Sequence, residues 1–480
     1  MSRAKALMIQ GCSSNAGKSY LVAGFCRLFA NRGVKVMPFK AQNMSNNAGV
    51  TKAGLEMGRA QLLQAQAAKV DADVRMNPVL LKPEADTRSQ VIVKGVAQLG
   101  LSEIPWMERK AYLWEHVQES LWSLMNEADL VMIEGAGSPA EINLKEGDIV
   151  NMAVAKEVGA AVLLASDIDR GGSFAHLLGT WHCLDDDEKK LLQGFLLNKF
   201  RGDPALLGNA MDWLEARTNV PTVGIVPMLR LPLPEEDAFS LDPDSQPLDK
   251  PVIAVVLLPH MSNFDEFDAL VHEPNASLRF IRHPDELKNA DMIILPGSKH
   301  VAHDLTYLRE SGLAAAIYKL TEKNIPLLGI CGGLQMLGTY IHDPTGVEAK
   351  GTVEALGLLD IETVMQEDKT TRQTTATVLE TKQQASGYEI HHGQTVIGSS
   401  ATPFLSDNLG FRQKNVTGVY LHGLFEETSF RAHMLAKLGV ASSLKRWQTV
   451  VDTSLDELAG HLEAHCDIAK IEATLGGSFG

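Results

Sequence analysis

The residues Gly11-Cys-Ser-Ser-Asn-Ala-Gly17-Lys18-Ser19 follow the apolar run Ala6–Gln10 and lead into the amphipathic stretch Lys18–Asn31. A buried strand that turns through glycines into a helix is the entry unit of a parallel α/β sheet, and few other folds accept it. The same context suits a phosphate-binding loop, whose backbone N–H groups and helix N-terminus cradle β- and γ-phosphates. On that reading Gly11, Asn15, Ala16 and Gly17 form the cradle for ATP. Lys18 neutralises phosphate charge and the Ser19 hydroxyl ligates Mg2+. Five residues separate Gly11 from Gly17, a longer spacer than the strict pattern allows.

The alternation continues downstream. Val34–Phe39, Asp129–Ile133, Ala160–Ala165, Gly194–Leu197 and Thr222–Val226 are short apolar runs, with helical periodicity in Glu108–Asn126 and Ala205–Arg217. Residues 1–230 are therefore expected to form one α/β domain built around this P-loop. Residues 231–250 hold Pro232, Pro234, Pro243, Pro247 and six acids, the composition of a linker. A second series, Val252–Leu257, Leu278–Ile281, Met292–Leu295 and Pro326–Ile330, opens a domain expected over 251–440. After Ile341 it passes into short β-like segments around Gly351–Val364, Thr374–Leu379, Gly387–His391 and Val416–Leu421. Residues 441–480 are expected to be a helical tail. The fold class is α/β, with two doubly wound domains.

Charge and apolar patterning narrow the function. Lys and Arg number 44 against 59 Asp and Glu, a net charge of −15. That balance lacks the basic footprint of a general nucleic-acid binder. Anionic small substrates remain compatible, because a few cations reverse the field inside a cleft. The longest apolar runs, such as Val252–Leu258 and Ala160–Ala165, are strand-length, well short of the roughly 18 to 20 residues of a membrane span. Met1–Gln10 lacks the apolar core of a secretory signal. Cys12, Cys26, Cys183, Cys331 and Cys466 are scattered, with no Cys-x-x-Cys pair. Neither a disulfide scaffold nor a zinc site is expected, and a reducing cytoplasm is the expected location.

Open parallel sheets bind ligands beyond the carboxyl ends of their strands. Glu134 stands there in Leu130-Val-Met-Ile-Glu134, as a Mg2+ ligand beside Ser19. Asp167 in Ser-Asp167-Ile-Asp169-Arg-Gly-Gly either supplies electrostatics or caps the helix that Ser173 opens. Lys40 precedes the amides Gln42, Asn43, Asn46 and Asn47, which bind carboxylates without repulsion. Lys40, Gln42 and Asn43 are thus substrate candidates. Lys82, in Asn77-Pro-Val-Leu-Leu-Lys82-Pro, and Arg88, ahead of the strand Val91–Lys94, offer cations to a polyanionic substrate.

In the second half, Gly329-Ile-Cys331-Gly-Gly333 stands between an apolar run and an apolar helix. This is the thiol version of the nucleophile elbow, in which small flanking residues permit a strained turn. The helix start lowers a thiol pKa and offers N–H groups to an oxyanion. Acyl transfer through a thiolate needs a base that later acts as an acid. His422, ending a late strand in Thr417-Gly-Val-Tyr-Leu-His422, fills that role, with His391 and His392 as rivals.

Cys331 in Gly-Ile-Cys-Gly-Gly-Leu-Gln, together with His422, resembles the class I glutamine amidotransferases. By that resemblance Leu295-Pro-Gly297-Ser298 is the oxyanion loop, with N–H groups near Gly297 and at Gly332. Most such domains place Pro-Glu after the histidine; here Gly423 and Leu424 follow. Either Glu389 or Glu426 orients the imidazole, or a Cys–His dyad operates. The loop Gly11–Ser19 resembles that of the dethiobiotin-synthetase-like P-loop ATPases, and Asn198-Lys199 resembles their nucleotide-base contact.

Over nearly its whole length the chain resembles the cobyric acid synthase family, glutamine-hydrolysing enzymes of adenosylcobalamin biosynthesis. Gly11–Ser19, Phe39-Lys-Ala-Gln-Asn-Met-Ser, Ile133-Glu-Gly-Ala-Gly-Ser-Pro, Pro259-His-Met-Ser-Asn-Phe-Asp and Ser386-Gly-Tyr-Glu-Ile-His carry that resemblance. It implies amidation of the b, d, e and g carboxylates of adenosylcobyrinic acid a,c-diamide, a corrinoid, with glutamine as nitrogen donor and ATP consumed. Cobyrinic acid a,c-diamide synthases share this chemistry on other carboxylates. A regulatory P-loop ATPase fused to a silent amidotransferase-like module is the alternative from another class, and Cys331 argues against it.

Overall fold

The computed structural model describes residues 4–85, 88–98, 100–101, 104–234 and 250–477. Of the linker expected at 231–250, residues 235–249 lie outside that set. The first sheet has six parallel strands in the order Thr222–Pro227, Leu192–Phe200, Ala161–Asp167, Lys5–Gly11, Leu130–Glu134, Val36–Phe39. Side-chain alternation sorts the two faces. Leu7 and Ile9 pack with Leu21, Phe25 and Phe29 of the helix Lys18–Asn31. Ala6 and Met8 pack with Leu113, Val117, Leu121 and Leu124 of the helix Trp106–Glu127. Burial on both faces is why these strands read as continuous apolar runs.

From Lys5–Gly11 the chain crosses to the edge strand Val36–Phe39, returns to Leu130–Glu134 and then winds to the opposite side. The winding therefore reverses next to Lys5–Gly11, which opens a crevice at the carboxyl ends of the central strands. Between the edge strand and the helix Trp106–Glu127 lies an excursion. Gln42–Met44, Val79–Ala85, Arg88–Val93 and Val96–Ala97 form one small sheet, and Ala48–Val50 pairs with Glu56–Gly58. The nine-residue helix Arg59–Ala67 follows that pair.

The second sheet is mixed and has eleven strands. Its parallel half runs Ser277–Ile281, Val252–Val256, Met292–Leu295, Leu327–Ile330, Val416–Val419. The remainder is largely antiparallel and is dominated by the long hairpin Ile361–Val378 with Gln383–Ile397. Double winding thus describes only the parallel half of the second domain. The expected helix Ala205–Arg217 is divided, because Pro204–Leu207 is a 3-10 turn ending at Gly208 with φ 54° before Ala210–Thr218 resumes as α-helix.

The tail helices Trp447–His465 and Ile468–Thr474 fold back onto the first domain. Leu458 and Leu462 lie over Gly24 of the helix Lys18–Asn31. Arg27 pairs with Asp452 at 2.7 Å, and Arg32 with Glu463 at 2.7 Å and Glu472 at 2.8 Å. One apolar cluster accordingly runs from Leu7 through the tail into the second sheet. Among the described residues no helix is long and apolar enough to cross a membrane.

Candidate functional site

At the crevice, the loop after Lys5–Gly11 has Asn15 at φ 59° and Gly17 at φ 88°, left-handed conformations that turn successive N–H groups inward. Lys18 Nζ donates to the Ser13 carbonyl at 3.2 Å and the Gly137 carbonyl at 3.1 Å. Parallel register sets Glu134 beside Ile9, so its carboxylate reaches the loop. Ser19 Oγ donates to Glu134 Oε1 at 2.8 Å, Lys40 Nζ lies 2.8 Å from the same oxygen, and Gln64 Nε2 donates to Oε2 at 2.5 Å. Ser19 and Glu134 therefore present adjacent hard oxygens, a donor set that fits Mg2+.

Other sequence candidates surround this centre in different states. Asn198 Nδ2 donates to the Ala16 carbonyl at 2.8 Å and Lys199 Nζ to the Asn15 carbonyl at 2.7 Å, so both brace the loop. Asp167 accepts from the Asp169 N–H at 3.1 Å and pairs with Lys199 at 3.0 Å; its capping turn is Ile168–Arg170 rather than the helix at Ser173. Asn43 donates to Gln61 at 3.0 Å, and the Gln42 Oε1 is buried with no hydrogen-bond partner among the described residues. Lys82 differs from expectation. It is fully buried in an ion pair with Glu56, which Lys369 also contacts at 2.6 Å. Burial, reinforced by Lys369 and Lys299 against the pull of Glu56, lowers its pKa to about 7. It closes a domain contact and presents no cation to solvent. Arg88 opens the strand Arg88–Val93, and its side chain lies outside the described set.

A cleft of about 1260 Å³ extends from this loop along Gly137–Ala153 and Val226–Leu231 to Phe264, His272 and Phe280 of the second domain.

In the second domain the neighbouring strands Met292–Leu295, Leu327–Ile330 and Val416–Val419 end together and aim three loops at one point. Cys331 occupies φ 53° and ψ −106°, a strained conformation for a non-glycine residue. Its N–H is tied to the Val419 carbonyl at 2.8 Å. A Cβ on Gly333 would collide with the Leu295 carbonyl, and one on Gly332 would lie 2.8 Å from the Ser298 nitrogen. Only glycines let the loop Leu295–Ser298 lie this close behind the cysteine. Asp304, wholly buried, fixes that loop by accepting from Ser298 Oγ at 2.6 Å, with His260 Nδ1 at 2.9 Å on its other oxygen.

His422 interacts electrostatically with the Cys331 side chain, and its Nδ1 lies 3.2 Å from Glu266 Oε1. Burial opposes the charged imidazole, but the Glu266 carboxylate and the Cys331 sulfur outweigh it and push the His422 pKa up to about 10. The carboxylate that faces the imidazole is thus that of Glu266, one residue beyond the motif Pro259–Asp265. Glu389 instead holds His391 at 3.1 Å, and Glu426 holds Arg59 at 2.8 Å. The rival His392 faces the Gln366 carbonyl at 3.0 Å. The arrangement can deliver a thiolate to an acyl carbon and a proton to its leaving nitrogen.

Residues 7–236 match the CobQ/CobB/MinD/ParA nucleotide binding domain, and residues 252–430 match the CobB/CobQ-like glutamine amidotransferase domain. A cobyric acid synthase of Deinococcus radiodurans is 52% identical, over 98% of this chain and 100% of that protein. The chain belongs to the cobyric acid synthase family. Members from Polaromonas (44% identical, 98% of this chain, 98% of that protein) and Listeria monocytogenes (43%, 98% and 97%) agree.

For a cobyric acid synthase family member, the contacts between the two sites matter most, and sequence reasoning missed them. Arg59 Nε pairs with Asp265 at 2.6 Å and its Nη2 with Glu426 at 2.8 Å. The Ala48 N–H donates to Asn263 Oδ1 at 3.0 Å, while the Phe264 N–H donates to Asn47 Oδ1 at 3.2 Å. Asn263 Nδ2 in turn lies 3.5 Å from His422 Nε2. Part of the amide-rich segment thus clamps the domains together. The available signal was Pro259–Asp265 itself, whose Ser262, Asn263 and Asp265 are buried.

Proposed function

We propose that this chain converts adenosylcobyrinic acid a,c-diamide to adenosylcobyric acid by amidating the b, d, e and g carboxylates, using ATP and glutamine. The observation that carries this reading is a Cys331–His422–Glu266 set in one chain with a phosphate loop whose Lys18 and Ser19 meet Glu134. The cleft of about 1260 Å³ beside that loop has room for a large substrate carrying several carboxylates.

A carboxylate does not react with ammonia at neutral pH, because oxide is a poor leaving group. The γ-phosphoryl group of ATP transfers to the carboxylate oxygen and leaves ADP and an acyl phosphate. Lys18 and the backbone of the phosphate loop hold the phosphoryl oxygens in place, which is the main protein contribution to such transfers. Mg2+, held by Ser19 and Glu134, would offset the phosphate charge. Ammonia then displaces phosphate and forms the amide.

The nitrogen comes from glutamine. The Cys331 thiolate attacks the side-chain amide, N–H groups at Gly297 and Gly332 receive the oxyanion, and the His422 imidazolium protonates the departing ammonia. Water, deprotonated by the now neutral His422, hydrolyses the thioester to glutamate. Release inside the protein keeps ammonia from the protonation that bulk water imposes. Mass spectrometry of the corrinoid after incubation with ATP and glutamine tests the whole reading. Four carboxylates become amides, whereas an unamidated acid is left untouched; no added amide would overturn it.

A pH dependence follows from His422. Its proton is the one given to ammonia, so glutamine-dependent turnover persists while the imidazole is charged and falls as pH rises through about 10. Glu266→Gln removes the carboxylate that favours the charged form. The alkaline limb is expected to move to lower pH, and the glutamine-dependent rate to drop on the order of 10²- to 10⁴-fold. An unmoved pH profile would remove Glu266 from the orienting role.

A further inference from the structure

Beside the oxyanion loop, two imidazoles and one carboxylate converge on a single point. Asp304, in the first turn of the ten-residue helix Val301–Glu310, is 0% exposed. Its Oδ1 faces His260 Nδ1 at 2.9 Å and His303 Nδ1 at 3.7 Å. One ligand atom from each of His260, His303 and Asp304 lies within 4.8 Å of the other two. The rings of His260 and His303 meet edge-on, with centres 4.6 Å apart. His260 is part-buried and the His303 side chain is 57% exposed, so the point opens to solvent on the His303 side.

Hydrogen bonding alone does not account for this geometry. His260 satisfies Asp304 Oδ1, and 3.7 Å is too long for a second hydrogen bond from His303. Buried charges are paired or coordinate metals, and this carboxylate meets two imidazoles and, at 2.6 Å on Oδ2, the Ser298 hydroxyl. Zinc lies about 2.0–2.1 Å from its nitrogen and oxygen ligands, which places the ligand atoms of a tetrahedral centre about 3.3 Å apart. The two separations at Oδ1 bracket that value. Imidazole nitrogens turn the site away from Mg2+, which takes oxygen ligands, and toward Zn2+ and neighbouring divalent ions. Two imidazoles and one carboxylate leave a fourth position for water. His300 stays outside the set: its ring centre is 5.6 Å from that of His260, and its Nδ1 accepts the His303 N–H at 3.3 Å. Cysteine spacing argued only against a thiolate site, and no cysteine takes part in this one.

We propose that His260, His303 and Asp304 form a site for a divalent transition-metal ion, Zn2+ being the best match, which braces the oxyanion loop. The ion would tie the segment before Glu266 to the helix Val301–Glu310, while Asp304 Oδ2 keeps its hold on Ser298. That segment already lies along the loop. The Lys299 N–H donates to the His260 carbonyl at 2.9 Å, and the Ser262 N–H to the Gly297 carbonyl at 3.0 Å. The site uses no residue of the Ser19–Glu134 pair or of the Cys331–His422–Glu266 set, so it does not depend on which carboxylates are amidated.

The test uses the full-length chain carrying Cys331→Ala, because a thiolate beside an imidazole would itself ligate zinc. Co2+ is titrated in excess Mg2+, which holds the hard oxygens of Ser19 and Glu134. A single Co2+ per chain should give the strong visible absorption of a four-coordinate ion, and Zn2+ should displace it. His260→Ala and His303→Ala should each weaken binding about 10-fold or more. His303 is exposed and helical, so alanine there leaves the fold intact. His182→Ala, on an exposed residue of the first domain, should leave the affinity unchanged. His303→Cys should add a thiolate-to-cobalt charge-transfer band, which a merely structural histidine would not produce. Backbone amide exchange over Ser298–His300 should slow when Zn2+ is loaded. Absence of binding, or equal affinity in the parent and both histidine-to-alanine variants, overturns the site; binding without slower exchange overturns the bracing role.

Discussion

Cys331→Ala is expected to lower glutamine-dependent amidation at least about 10³-fold while ammonia-dependent amidation continues. The expectation comes from the geometry of the elbow. The sulfur is the atom that His422 addresses, whereas burial raises the pKa values of Cys12, Cys26 and Cys466, to about 11 for Cys12 and about 12 for Cys466. Alanine keeps the Cβ and therefore inherits the backbone at φ 53° with no new collision. The variant should fold as the parent does, so that loss of turnover reads as loss of the nucleophile. Rates are compared with saturating ammonium chloride at alkaline pH and with glutamine, each in the presence of ATP. Equal glutaminase activity in parent and variant would remove the thiol from the mechanism.

The first sheet was legible from the sequence because its strands are buried on both faces. Each is a run such as Leu130–Glu134, buried throughout, and the helix Lys18–Asn31 begins and ends at the residues that the pattern indicates. The excursion between Lys40 and Pro105 was not legible, apart from one strand near Val91. Its strands Gln42–Met44 and Ala48–Val50 are three residues long and carry amides, and tertiary contacts rather than periodicity hold them. The helix Arg59–Ala67 has three glutamines in nine residues, and two of them are wholly buried, which no apolar stripe announces. The long hairpin Ile361–Ile397 was read as separate short segments because it is partly solvated and polar along its length.

At the sites, local geometry was readable and long-range pairing was not. A glycine-flanked cysteine and a glycine-lysine-serine turn are fixed by backbone demands within a few residues, so spacing reveals them. Glu266 stands 156 positions from His422, and no spacing rule links the end of a late strand to a 3-10 turn after an early one. Lys82 was misjudged for a related reason. A lone lysine in sequence reads as a solvated cation, whereas here Glu56 and the second domain enclose it. That burial, with Lys369 and Lys299 beside it, lowers the Lys82 pKa to about 7.

Lys18→Ala should abolish amidation from both nitrogen sources, with a loss of at least about 10³-fold in each. Lys18 Nζ bridges the carbonyls of Ser13 and Gly137, joining the phosphate loop to the segment that follows Glu134. Alanine removes the cation that meets the phosphoryl charge, and no neighbour can substitute: Lys40 is committed to Glu134 at 2.8 Å and Lys199 to Asp167 at 3.0 Å. Because the acyl phosphate must form before any nitrogen can attack, ammonia cannot bypass the defect as it bypasses loss of Cys331. ADP release measured with corrinoid but without a nitrogen source should fall by the same factor, which places the defect before amide formation. An ammonia-driven rate equal to that of the parent would contradict the role given to the loop. The opposite pattern, with Cys331→Ala losing both routes and Lys18→Ala losing only the glutamine route, would reverse the assignment of the two halves.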